Sequence, residues 1–294
     1  MRNMDWRKAL VFVALVALLV GCRGQDAGIT DRKLPKPYAN IVSLSPSTTE
    51  VLAGFGATNF LVGRTESCDR PPSIASIAIV VRSTKPDYEA ILGLEPDLIM
   101  YDKSLYSDDE IAKIKDLKIE TLEYDPKTID DYARFCHVLA SKLSMEVQVS
   151  KQVDYIYAAV EAAKGHPTTK PKTTILLGDG KSYDYLVLGK ESFHAHILQE
   201  CGATVVGADG RPFQSLNVER FIDMDPDVIY SDGNAQSIYS DPRLQSISAV
   251  KNMHVYDVDA KTIVRIGDQL KALIERFDDD LHRLPANRPQ VAAR

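Results

Sequence analysis

Two stretches of the chain repeat one pattern of apolar and polar positions. YEAILGLEPDLIMYD (88–102) and VERFIDMDPDVIYSD (218–232) align without a gap. Each reads as a short amphipathic helix, an acidic-Pro-Asp turn and a buried β-strand closing on an aspartate. A second echo places a Gly-Ala-Thr turn between a helical pattern and an apolar run, in GFGATNFLVG (54–63) and ECGATVVGAD (200–209). Each half also opens on a buried strand, ANIVSLS (39–45) and KTTILLG (172–178). Strands alternating with helical patterns predict an α/β chain of two Rossmann-like lobes with parallel sheets, the ligand cleft lying between them at the carboxyl ends of the strands. From 129 to 163 helical periodicity runs without Gly or Pro and stops at Gly165 and Pro167, which predicts a long rigid helix joining the lobes. The expected division is an N-terminal lobe over 38–140, the linker helix over 141–166, a C-terminal lobe over 167–285 and a tail over 286–294.

The first residues follow another pattern. Arg2, Arg7 and Lys8 precede an apolar run from Ala9 to Val20, too short for a mature membrane span. The run closes on LLVGC, where small residues before Cys22 resemble the lipobox of bacterial lipoproteins. The resemblance implies a signal peptide over 1–21, cleavage before Cys22 and lipid on its thiol, with the polar stretch 22–37 as a flexible tether.

Composition is that of an ordinary globular chain, 45% apolar and 26% charged over 294 residues. Removing residues 1–21, which carry Arg2, Arg7, Lys8 and Asp5, takes the net charge from −6 to −8, and that disfavours a nucleic-acid partner. Cys68, Cys136 and Cys201 then remain, an odd number that allows at most one disulfide, and none lies in a C-x-x-C pair.

SLSPSTTE (43–50) crowds hydroxyls where the first strand gives way to a helix. Pro46 suits the first helical position and Ser47 to Glu50 match a capping box. The same helix start exposes N–H donors toward the cleft, so Ser47 also stands as a ligand-lining residue. A catalytic serine needs a base and an orienting acid, yet no G-x-S-x-G elbow is present and the six histidines are scattered. His194 and His196 are two apart on a predicted helix and point to different faces. Converging metal ligands are not visible, so neither a resident metal nor a cofactor is expected.

NIVSLSPSTTEVLAGFGATNFLVGRTESCDRPP, YEAILGLEPDLIM, LGKESFHAHILQECGATVV, VERFIDMDPDVIY and AVKNMHVYDVDAKTIVRIGDQLKALIE occur in this order. Together they resemble the substrate-binding proteins of ABC importers for vitamin B12 and iron chelates, over nearly the whole chain from about Tyr38 to Leu284. The resemblance implies a ligand held between two lobes and delivered to an ABC permease driven by its ATPase. It also implies one docking glutamate per lobe on the permease, here Glu89 and Glu219, which occupy the same position of the internal repeat.

The repeat places Tyr101 and Asp102, and Tyr230, Ser231 and Asp232, at strand ends facing the cleft. The family's loop positions add Arg64, Arg82 and Ser83 from one lobe, Tyr183, Tyr185 and Phe213 from the other, and Arg265 before the last helix. Tyrosines and Phe213 can stack on a flat macrocycle and arginines can pair with carboxylates or phosphate. The sole tryptophan, Trp6, leaves with the signal. The expected protein is a monomeric, non-catalytic receptor, lipid-anchored to a membrane on its periplasmic or extracellular face. Its ligand is a cobalamin-type corrinoid or a ferric chelate, with haem or another metal chelate as the alternative, and the three arginines lean toward an anionic component. The reading from another class is a cleft enzyme that uses SPSTTE and Asp102 on a small molecule.

Overall fold

The computed structural model describes residues 38–166, 169–178, 185–210 and 213–284. The first sheet has strand order β4-β3-β2-β1-β5-β6. These are β1 (Ile41–Ser43), β2 (Leu61–Thr65), β3 (Ala78–Arg82), β4 (Lys85–Pro86), β5 (Leu98–Asp102) and β6 (Glu120–Tyr124), and all pair parallel except β4. The second sheet runs β10-β8-β7-β11-β12, with β9 also on β7. Its members are β7 (Lys172–Leu177), β8 (Leu186–Leu188), β9 (Thr204–Val205), β10 (Phe213–Ser215), β11 (Val228–Ser231) and β12 (Val255–Asp257). β7, β9, β11 and β12 are parallel, and β8 with β10 forms an antiparallel edge.

The internal repeat becomes one device used twice. Helices Tyr88–Gly93 and Val218–Met224 precede β5 and β11, capped by the side chains of Asp87 and Asn217. Glu95 and Asp225, equivalent in the repeat, both take left-handed backbone, φ 48° and 40°. The next aspartate then staples the lobe's first strand. Asp97 accepts the N–H groups of Ala39 and Asn40 at 2.8 and 3.1 Å, and Asp227 accepts that of Lys172 at 2.8 Å. The Gly-Ala-Thr echo is equally physical. Gly56 and Gly202 stand at φ 71° and 86°, and the following N–H of Ala57 or Ala203 reaches back to Leu52 or Leu198 at 3.0 Å. That left-handed helix end favours glycine.

Side-chain alternation sorts the sheets into three cores. Ile99 and Tyr101 join Val42 and Val80 in a core private to the first lobe, and Ile229 joins Leu176 and Phe221 in one private to the second. The opposite faces, with Leu98, Met100, Val228 and Tyr230, merge in a shared core with the intervening helices. Both faces of each sheet are therefore covered, as parallel sheets require.

The helical stretch after 129 divides. Helix Ile129–Leu143 ends at Ser144, φ 56°, and a second helix begins at Glu146 and runs to Gly165. The expected start of the linker at 141 gives way to this left-handed break. One stripe of the second helix, Val149, Val153, Ile156, Val160 and Ala163, is buried. It packs on Ile129–Leu143 and on the last helix, Leu270–His282, and so ties the lobes together. Cys68, Cys136 and Cys201 are all free and buried. No helix among the described residues is long and apolar enough to cross a membrane.

Candidate functional site

The segments that follow β1 and β2 in the first lobe meet the segment that follows β12 in the second. At the end of β1, Ser45 rather than Ser47 caps helix Pro46–Gly54, its hydroxyl accepting the Thr48 N–H at 3.1 Å with Pro46 at the first helical position. The hydroxyls of Ser43, Ser45, Thr48 and Thr49 are knotted together at 2.7–2.8 Å. Most of the hydroxyl cluster thus closes the helix start upon itself. Glu50, one turn further in, closes no capping box and instead faces the second lobe.

Arg64 sits in β2 and donates to the carbonyls of Ile74, Thr65, Cys68 and Ala75 at 2.9–3.0 Å. Four of its five N–H groups are so used, which folds the loop 66–75 around a buried guanidinium. This corrects Arg64 from a ligand contact to the post that presents Asp69 and Arg70.

Those two side chains meet the segment that follows β12. Arg70 bonds Asp259 at 2.8 Å and the Thr262 hydroxyl at 3.3 Å. Asp69 receives Lys261 and, at 2.7 Å, Arg265. Arg265 also reaches Glu50 at 3.3 Å. Behind these ion pairs the Tyr124 and Tyr132 hydroxyls donate to the carbonyls of Ile266 and Gly267. A Cβ on Gly267 would lie 2.5 Å from that of Glu50, so glycine is what allows the two lobes to approach here. The result is an ionic clasp across the junction.

Its carboxylates are unequal. Burial, then the nearby charge of Asp268, pushes Glu50 up to about 7 against the pull of Arg265, and Glu50 Oε2 is buried without a hydrogen-bond partner. Burial would also raise Asp69, but hydrogen bonds from Lys261 and Arg265 hold it down to about 2. Among the described residues no group of three or more His, Cys, Asp or Glu is placed to hold a metal ion.

A family model described as "Periplasmic binding protein" matches residues 41–262. The chain belongs to the periplasmic binding protein family. These are solute-binding proteins rather than enzymes. Among curated relatives, an uncharacterized ABC transporter substrate-binding lipoprotein of Bacillus subtilis is 25% identical over 270 residues, covering 87% of this chain and 84% of that one. A vitamin B12-binding protein of Vibrio cholerae is 25% identical over 258 residues, covering 85% and 92%. Among solved structures, the periplasmic vitamin B12 binding protein of Vibrio cholerae superposes with a TM-score of 0.74 at 21% identity, covering 83% of this chain and 97% of that one.

Within this periplasmic binding protein the expected site residues separate into groups. Tyr101, Tyr185 and Tyr230 are buried in the cores. Tyr101 donates to Glu123 at 2.7 Å and Tyr185 to Asp241 at 3.0 Å, while Tyr230 packs on Phe277 at 4.4 Å between ring centres. These three are corrected to core residues: Tyr101 and Tyr230 lie in strands covered on both faces, and Tyr185, just before β8, is buried in the same core as Phe221. Ser231 is buried as well, its hydroxyl accepting the Asn234 N–H at 2.9 Å.

Asp102 and Asp232 do lie at the strand ends, but as caps. Asp102 accepts Ser104 N–H at 2.9 Å, and burial raises its carboxyl despite bonds from Ser104 and Ser47. Asp232 accepts the Gly178 N–H at 3.2 Å and the Asn234 amide at 2.9 Å. Ser47 thereby belongs to the strand-end polar ring through Asp102. Arg82 and Ser83 occupy the exposed β3–β4 hairpin, where Ser83 N–H bonds Glu66, and Arg82 borders an outer groove of about 690 Å³ shared with Tyr88 and Glu89.

Phe213 is half-buried against His194, ring centres 5.3 Å apart. Burial pushes His194 down to about 4, and its Nε2 has no partner. His196 faces Glu200 instead, at 3.7 Å, so the two histidines do not converge. Glu89 and Glu219 are exposed in the first turns of equivalent helices. Cys22 and Tyr183 lie outside the described residues. Glu50, Asp69, Arg70, Asp259 and Lys261 escaped the sequence reading; their signal was position alone, each lying beyond the carboxyl end of a strand.

Proposed function

We propose that this protein is the substrate receptor of an ABC importer. It captures a cobalamin-type corrinoid or a ferric chelate at the junction of its lobes and hands it to a permease coupled to an ATPase. The observation that carries this reading is the meeting of two α/β lobes at the carboxyl ends of their parallel strands, the usual place for a ligand in open α/β sheets, in a chain of the periplasmic binding protein family. The names of its relatives, a substrate-binding lipoprotein and a vitamin B12-binding protein, support the transporter and the ligand class. The Leu-Leu-Val-Gly-Cys stretch supports a lipid on Cys22 that holds the receptor to a membrane on its periplasmic or extracellular face. Glu89 and Glu219, exposed at equivalent places of the two lobes, are the docking points for cationic residues of the permease.

Reconstitution tests the proposal. Full-length receptor added to liposomes holding its permease and ATPase should stimulate ATP hydrolysis and move a corrinoid or ferric chelate inward. Equal ATPase rates and no uptake with and without receptor, across both ligand classes, would refute it.

A further inference from the structure

The charges around the junction restrict what can enter it. Asp69 follows β2, Asp102 ends β5, Asp125 follows β6, and Asp232 and Asp259 follow β11 and β12. The carboxyl ends of the strands are thus marked by acids. Among the described residues the cations of the clasp are already engaged: Arg70 with Asp259, Lys261 with Asp69, and Arg265 with Asp69 and Glu50. Arg64 is enclosed by carbonyls, and Arg82 stands outside the clasp on a hairpin whose turn is tied to Glu66. Asp69 has a special position, because its one carboxylate holds two second-lobe cations from the first lobe. Its side chain and that of Lys261 are 42% and 45% exposed, at the mouth of the junction rather than in the core.

We propose that Asp69 is the selectivity element of this cleft: by occupying Lys261 and Arg265 it withholds them from the ligand and restricts the site to metal chelates without net negative charge. This rests on the reading of the cleft as a solute site. A polyanion that sought the two cations would exchange one carboxylate for another, gaining little, and would leave Asp69 unpaired beside its own charge. Like charges brought together at an interface discriminate by repulsion. A neutral or cationic chelate, a corrinoid among them, meets the same acids without that penalty and leaves the clasp intact.

The test is calorimetry on the full chain purified in detergent, with ferric citrate as the polyanionic probe and cobinamide as the corrinoid probe. Asp69→Asn frees Lys261 and leaves Arg265 with Glu50 as its remaining partner. It should raise the affinity for ferric citrate roughly tenfold or more, a gain that disappears at about 0.5 M salt because exposed charges are screened. The gain should also vanish when Lys261→Gln and Arg265→Gln are added. Cobinamide affinity should stay within about threefold. Appearance of the citrate gain in a protein silent to cobinamide would support the role of Asp69 while counting against the corrinoid as ligand. No gain in Asp69→Asn, or wild-type protein that already binds ferric citrate as tightly, would overturn the proposal. Should Asp69→Asn not fold, Arg265→Gln carries the test: the proposal requires unchanged ferric citrate affinity, and a tenfold fall would overturn it.

Discussion

Replacing Glu50 by Gln isolates the most perturbed charge at the junction. Glu50 is 1% exposed, its Oε2 lacks a partner, and its carboxyl is pushed up to about 7 from 4.5. A shift of that size corresponds to about 3 kcal/mol between protonation states. The folded protein holds the Glu50 proton more tightly than the unfolded chain does. Its contribution is therefore fully present below pH 4.5 and is lost as pH rises through about 7. His194 acts in the opposite sense, since burial lowers it to about 4 from 6.5 and stability is lost as pH falls through that range. The two slopes offset each other in the wild type, so the informative quantity is the difference between variant and wild type, in which His194 cancels. Urea unfolding from pH 4.5 to 8.5 should show Glu50→Gln gaining on the wild type by about 2–3 kcal/mol across the window. The variant should rise with pH below 6.5 as the His194 dependence is uncovered. A difference that stays flat over this range would mean that Glu50 keeps an ordinary carboxyl in the folded protein.

Further outcomes follow from the same geometry. Gly267→Ala drives a methyl against Glu50 and should cost about 1–3 kcal/mol by thermal melting; a melting temperature unchanged from wild type would mean that the lobes are not closely apposed there. Asp97→Ala and Asp227→Ala each strip a strand staple and should cost about 1–2 kcal/mol, whereas stability equal to wild type in urea would deny the staple's role. Glu89→Arg and Glu219→Arg should leave ligand affinity intact and abolish receptor-stimulated ATP hydrolysis, and retained stimulation would remove them from the docking surface. With a shared core and an unbroken helix Glu146–Gly165, crystals with and without ligand should differ by a few degrees of lobe rotation; tens of degrees would contradict the stiff junction.

The parts legible in the sequence are those fixed by near neighbours. The repeat could be read because helix, Pro-Asp turn and strand are adjacent, and the aspartate of that turn proved to staple a strand in each lobe. The division of 129–163 into two helices was hidden because Ser144 is neither Gly nor Pro, yet takes the left-handed conformation. Tyr101 and Tyr230 failed as cleft residues because a strand end covered on both faces has the same local pattern as one opening on solvent, and Tyr185, just before β8, because its burial beside Phe221 depends on residues distant in sequence. Arg64 looked like an anion receptor until the loop wrapped around it supplied four carbonyls. The clasp itself joins residues far apart, Arg265 to Glu50 across 215 positions, and no periodicity reports such a pairing.

Capture of a metal chelate at the lobe junction is open to one decisive measurement. Titration of the full-length protein in detergent with cobinamide, ferric citrate and haem, followed by calorimetry and by product analysis, addresses it directly. Saturable one-to-one binding of one chelate, recovered chemically unchanged, is expected, with affinity weakened when Asp102 or Asp232 at the strand ends is replaced by Ala. No binding by any of the three, or conversion of the bound compound to a product, would contradict it.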